Sequence, residues 1–187
     1  MINLGKQTNS TNSKKKNDSL PPEKVYVLDA SAIYNGILAR NLDGRKFIPE
    51  CVVAEVEGMF RGEALIAEGY SQKDVFTMLP TDASFKRVNV SAKETGDIQE
   101  LSECDCSVLA IALDLLEQDF TVEILSDDYD IQNLASFMSI PYSGVAWKGI
   151  TRVYRYYWVC PACGMKSKQK MKRCIECGTP MKRKSRK

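Results

Sequence analysis

Asp29 ends the apolar run Val25-Tyr26-Val27-Leu28, and Asp127, Asp128 and Asp130 follow Thr121–Leu125 across Ser126. Ligands in open α/β sheets bind beyond the carboxyl ends of strands, so carboxylates at two such ends are placed to share one hard divalent cation. The sequence contains no histidine. Acid–base chemistry at neutral pH therefore falls to water acidified by a cation.

Two further acids come from helical patterns. Ser102 followed three residues later by Asp105, just ahead of an apolar run, reads as a capping-box start. At about 100° per residue Leu109, Ala112 and Leu116 fall beside Asp105, whereas Asp114, Glu117 and Gln118 fall opposite. Asp105 thus begins the inward face, where a carboxylate is costly unless it is hydrogen-bonded, paired or metal-bound; it is either a cap alone or a ligand. In Glu50–Met59, opened by Pro49, the same projection sets Glu55 between Cys51, Val52 and Met59 and leaves Glu57 at the polar edge. One acid of Asp127 and Asp128 is expected to cap the helical pattern Tyr129–Ser139. Acids this crowded raise one another's pKa unless a cation intervenes.

A second metal chemistry lies near the end of the chain. Cys160-Pro-Ala-Cys163-Gly and Cys174-Ile-Glu-Cys177-Gly are matching Cys-x-x-Cys turns with ten residues between Cys163 and Cys174. Four thiolates suit one tetrahedral Zn²⁺, and Gly164 and Gly178 permit the tight turns. Such a zinc ribbon leaves no open position for water, so its metal is structural. Binding on the order of 10 kcal/mol would fold a segment this small. With no sign of an oxidising compartment, Cys51, Cys104 and Cys106 are expected to be reduced. Lys166, Lys168, Lys170, Lys172 and Arg173 exceed what the metal needs and are expected to face phosphates, with Arg152, Arg155 and Lys182-Arg183-Lys184. Tyr154, Tyr156, Tyr157 and Trp158 either stack on unpaired bases or pack the ribbon against its neighbour.

The elements that must position these groups follow from composition. The 187 residues carry a net charge of +2 that divides into +2 over 1–23, −11 over 24–150 and +11 over 151–187. An acidic body repels a polyanion unless cations bind to it, and a basic tail either attracts phosphate backbones or docks on that body. Residues 1–23 are polar, with three consecutive lysines, and read as a disordered leader. From 24 to 149 apolar runs of strand and helix period alternate, as in a parallel sheet wrapped by helices; 150–187 forms the ribbon and basic tail. No stretch approaches the roughly 18 apolar residues of a membrane span, so a cytoplasmic protein is expected.

VLDAS at 27–31, PECVVAEV at 49–56, KETGDIQELSECDCSVLAIA at 93–112 and ILSDDYDIQNLASF at 124–137 resemble the successive motifs of PIN-domain nucleases. With the cysteine-paired tail, the chain over about 24–180 resembles the nin-one-binding protein family of ribosome-biogenesis endoribonucleases, in its compact archaeal form. The resemblance implies a three-layer α/β/α fold whose acids bind Mn²⁺ or Mg²⁺ and cleave single-stranded RNA. It also implies a role in 3′ maturation of small-subunit pre-rRNA among ribosome assembly factors. Carried over by position, the acids are Asp29, Glu55, Asp105 and Asp128, with Ser31 orienting water and Asp127 and Asp130 as accessory candidates.

A non-catalytic RNA- or ribosome-binding module on the same scaffold is the competing reading. A phosphoacceptor receiver domain would need an isolated Asp and a later Lys that the 120–150 stretch does not supply together. Toxin-type PIN ribonucleases generally lack the basic cysteine-paired tail.

Overall fold

The run KVYVL forms β1 (Lys24–Leu28), with Val25, Val27 and Leu28 wholly buried, as expected of a strand covered on both faces. In this computed structural model residues 22–71, 73–98, 100–150 and 153–186 are described. The leader expected over 1–23 thus lies almost wholly outside the described residues, as does Arg152.

β1 pairs in parallel with β2 (Arg45–Pro49) on one side and β4 (Thr121–Leu125) on the other. With β3 (Val75–Met78) and β5 (Tyr142–Ser143) the sheet runs β3-β2-β1-β4-β5, all parallel. The chain first winds outward through β2 and β3, then returns to the far side of β1 as β4. Strand order therefore reverses between β1 and β4, the switch point where open α/β sheets bind ligands.

Helices complete the three layers. α1 (Ala30–Tyr34), α2 (Glu50–Glu57) and α3 (Gly62–Ser71) pack together, while α4 (Asp82–Thr95), α5 (Glu103–Leu116) and α6 (Tyr129–Phe137) form a second group. α5 is buried along most of its length from Cys106 to Leu115. That burial overturns the expected position of Asp114: it is enclosed, and its carboxylate accepts from the Thr81 N–H at 2.7 Å and the Thr81 hydroxyl at 2.6 Å. Thr81 caps α4, so Asp114 ties α5 to the start of α4. A projection about one axis could not see that α5 is covered by α4 as well as by the sheet.

A second correction concerns Cys51 and Cys104, which are joined as a disulfide rather than reduced. The first turns of α2 and α5 pack together and set the two Cα atoms 5.7 Å apart, within bridging range. Cys106 is a free, buried thiol, as expected.

β6 (Arg155–Val159), β7 (Lys166–Ser167) and β8 (Lys182–Arg186) make a separate antiparallel sheet in the order β7-β6-β8. Among the described residues no helix is long and apolar enough to cross a membrane.

Candidate active site

Asp29 stands where β1 becomes α1, and its backbone N–H donates to the Leu125 carbonyl at the end of β4 at 3.1 Å. Its Oδ1 accepts from the Ala30 N–H at 2.7 Å as the N-cap of α1; its Oδ2 accepts from the Ser31 hydroxyl at 2.6 Å and the Ser126 hydroxyl at 2.8 Å. Those hydroxyls in turn accept from the Asp127 and Asp128 N–H groups at 2.9 and 3.0 Å. Two serines thus stitch the two strand ends together around one carboxylate. A carboxylate has about four lone-pair directions, and three are taken here, which fixes the direction left for a cation. Ser126, fully buried, is the site residue that sequence reasoning passed over, although it opens the Ser-x-Asp pattern at the strand end.

Asp105 combines both of its sequence-based readings. The capping box is formed: its N–H donates to the Ser102 hydroxyl at 3.1 Å, and its Oδ2 accepts from the Ser102 N–H at 2.7 Å. The same residue faces an open hollow of about 400 Å³ that also takes in Asp29, Ser31, Tyr34, Glu55, Asp127, Asp128 and Trp147. Glu55 reaches it differently from the expected inward position: Val52 and Val56 supply the buried face of α2, while Glu55 and Met59 are exposed. Asp128 caps α6, its Oδ1 accepting from the Asp130 and Ile131 N–H groups at 2.6 and 3.2 Å.

The two accessory candidates are differently employed. Asp127 lines the hollow, but its Oδ1 accepts from the N–H groups of Val145, Ala146 and Trp147 at 2.9–3.2 Å, and its Oδ2 from the Asn35 amide at 2.8 Å. Asp130 turns toward the ribbon, where it meets Arg183 at 3.3 Å.

Electrostatics mark the hollow as short of positive charge. Desolvation, then the charges of Asp29 and Asp105, push the Glu55 carboxyl above its ordinary range. Asp105 is also raised, first by burial and then by Asp29 and Asp128, against the lowering effect of its bonds to Ser102. An all-oxygen donor set carrying mutually repelling charges fits a hard divalent cation.

The cysteines fit a soft one. Among the described residues they are the acid, thiol or imidazole group whose ligand atoms all lie within 4.8 Å of one another. The carboxylate oxygens are spread more widely around their open hollow. The Cys160–Cys177 and Cys163–Cys174 sulfur separations are 3.4 and 3.5 Å, near the roughly 3.8 Å edge of a Zn–thiolate tetrahedron. Gly164 and Gly178 take φ of +78° and +72° and donate back to the Cys160 and Cys174 carbonyls, closing both turns.

The ribbon is seated on the body by specific bonds. The Asn133 amide of α6 donates to the Tyr154 carbonyl at 2.8 Å and accepts from the Tyr154 N–H at 2.6 Å. Arg183 stacks 3.6 Å from the Tyr156 ring centroid and pairs with buried Asp97 at 3.0 Å as well as with Asp130. Lys170 pairs with Glu100 at 2.9 Å, and the Arg173 guanidinium donates to the Gly178 carbonyl at 3.2 Å. Part of the basic set expected to face phosphates is therefore engaged in docking and in closing the ribbon's own turn. Arg155, Lys166 and Lys168 border a separate cavity of about 430 Å³ between α4 and the ribbon.

Residues 26–115 match the family described as the PIN domain of ribonuclease. An Endoribonuclease Nob1 from Pyrococcus abyssi is 33% identical over 158 residues, covering 83% of this chain and 91% of that protein. The chain belongs to the Nob1 family of PIN-domain proteins. An Endoribonuclease Nob1 from Archaeoglobus fulgidus is likewise 33% identical, over 83% of this chain and 88% of its own length. A Ribonuclease VapC1 from Thermoplasma acidophilum is 30% identical over 85% of this chain and 77% of that protein.

Proposed function

We propose that this chain is a divalent-metal-dependent endoribonuclease that hydrolyses single-stranded RNA, at the 3′-end maturation site of small-subunit pre-rRNA. The observation that carries the reading is the gathering of Asp29, Glu55, Asp105 and Asp128 around one hollow at the switch point of the sheet. Family membership and the relatives named Endoribonuclease Nob1 support cleavage of RNA, and the ribosomal substrate is what the resemblance to the nin-one-binding protein family implies.

In this reading Asp29, Glu55, Asp105 and Asp128 hold Mn²⁺ or Mg²⁺, one ion or two. When bound, a divalent cation supplies a Lewis acid that acidifies water and neutralises charge on the leaving oxygen. Ser31 and Ser126 fix the Asp29 carboxylate, so little reorganisation is needed as charge develops. Ser31 stands within reach to orient the attacking water as well. Attack by water, rather than by the RNA's own 2′-hydroxyl, leaves 5′-phosphate and 3′-hydroxyl ends.

The division of labour assigns cleavage to residues 24–149 and RNA positioning to the ribbon and tail at 150–187. Cys160, Cys163, Cys174 and Cys177 hold one structural Zn²⁺, and Lys166, Lys168, Lys172 and Arg155 face phosphates. Ribosome assembly factors are the expected company, in the cytoplasm. The test is cleavage of a short RNA spanning the rRNA 3′ end, with Mn²⁺ and with chelator, by wild type and Asp29→Asn. Metal-dependent cleavage by the wild type alone, with 3′-hydroxyl ends, supports the proposal. Equal cleavage by both proteins, persistence in chelator, or a 2′,3′-cyclic phosphate product would overturn it.

A further inference from the structure

Trp147 borders the acid hollow and is 72% exposed, although the loop that carries it is held from several sides. Asp127 grips the N–H groups of Val145, Ala146 and Trp147, and the Arg40 guanidinium donates to the Val145 carbonyl at 3.4 Å. Beyond the tryptophan, Gln132 accepts from the Ile150 N–H at 2.9 Å, and the Tyr142 hydroxyl donates to the Ile150 carbonyl at 3.1 Å. Gly144 closes the near end: a Cβ there would lie 2.1 Å from the Trp147 carbonyl oxygen and 2.9 Å from Asp127 Oδ1. The sequence therefore fixes the backbone of this loop while leaving its largest apolar side chain in water.

Charge explains why an aromatic surface belongs there. The body carries −11 over residues 24–150, and the hollow concentrates acids, so RNA phosphates gain nothing from the side chains that surround the reacting centre. A base presents an uncharged π-face, and stacking on tryptophan is insensitive to that field. We infer that Trp147 is the platform on which an unpaired base beside the scissile phosphate stacks, and that Asp127 is a positioning residue that holds the platform. Base stacking tolerates any sequence but requires an unpaired strand, so the subsite selects single-stranded over duplex RNA. The inference rests on the nuclease reading above.

The test uses the full chain carrying Trp158→Phe, which leaves Trp147 as the sole tryptophan of the two in the sequence. A fluorescein-labelled single-stranded RNA is titrated in Ca²⁺, and binding is followed separately by anisotropy and by tryptophan emission. Trp147 emission is expected to be quenched with the same midpoint as the anisotropy change, and not by duplex RNA of the same sequence. In the otherwise wild-type chain Trp147→Ala should raise KM about 5- to 150-fold, the range that stacking covers, with kcat changed by less than about threefold. Trp147→Phe should recover most of the loss. Asp127→Ala should raise KM similarly while Mn²⁺ affinity is retained. RNA that binds without changing Trp147 emission, or an unchanged KM in Trp147→Ala, overturns the inference while leaving the nuclease reading standing. A wild-type protein that neither binds nor cleaves RNA removes both.

Discussion

Asp105 uses one carboxylate oxygen to cap its helix and is surrounded by like charge on its other side. Replacing it by Asn keeps an oxygen for the Ser102 N–H and removes a charge from a site that repels itself. Asp105→Asn is therefore expected to stabilise the metal-free protein by about 0.5–2 kcal/mol while lowering cleavage by about 100-fold or more. Thermal melts in chelator, read beside cleavage rates, check both directions together. A different carboxylate governs acid stability. Burial raises Glu123, but hydrogen bonds from Ser143 and Lys24 outweigh it and hold its carboxyl below the ordinary value. A depressed acid contributes stability above its unfolded pKa of about 4.3 and loses it as pH falls through the folded value. Glu123→Gln should remove up to about 1 kcal/mol at pH 7 and nothing near pH 2, measured as urea midpoints. The strand-end place of Asp29 and the capping box of Asp105 were legible because strand ends and caps are local patterns. Ser126 and Asp114 were not, because their partners Asp29 and Thr81 lie 97 and 33 residues away.

Element periods foretold β1, β4, the capped start of α5 and the α6 cap, but not what packs against each. Nothing local announces that the first turns of α2 and α5 meet, so the Cys51–Cys104 bridge across 53 residues could not be read from spacing. The seating of the ribbon was equally hidden, since Arg183 meets Asp97 across 86 residues. That seating depends on the turn that ends α4. Gly96 takes φ of +86°, and a Cβ there would lie 2.6 Å from the Tyr156 carbonyl oxygen. Gly96→Ala thus strains the turn and pushes β6 away, at a cost of about 1–3 kcal/mol. Limited proteolysis should then cut between body and ribbon faster than in wild type, while the body fragment stays resistant.

At the scale of the molecule, opposite charges on body and tail hold the ribbon against the body. Lys170 and Arg183 bind the ribbon to the acidic body, so of the two alternatives the charge pattern left open, docking is the one the ion pairs display. The ribbon's own buried cluster is Cys160, Cys174 and Met181 with Trp158, Met165 and Met171 packed on it, so a metal held by the four cysteines is expected to supply much of its stability. Stripping zinc with a strong chelator should unfold the ribbon, leave the melting of the 24–149 body in place, and weaken RNA binding with a shallower salt dependence. A ribbon that stays folded without metal would contradict this. That four carboxylates hold one catalytic cation centre is checked by titrating Mn²⁺ into zinc-loaded protein and reading free ion by electron paramagnetic resonance. Saturable binding is expected in the wild type and in the exposed-surface variant Asp43→Asn, with loss in Asp29→Asn and Asp105→Asn. Binding that survives equally in all four proteins would show that these acids do not share an ion.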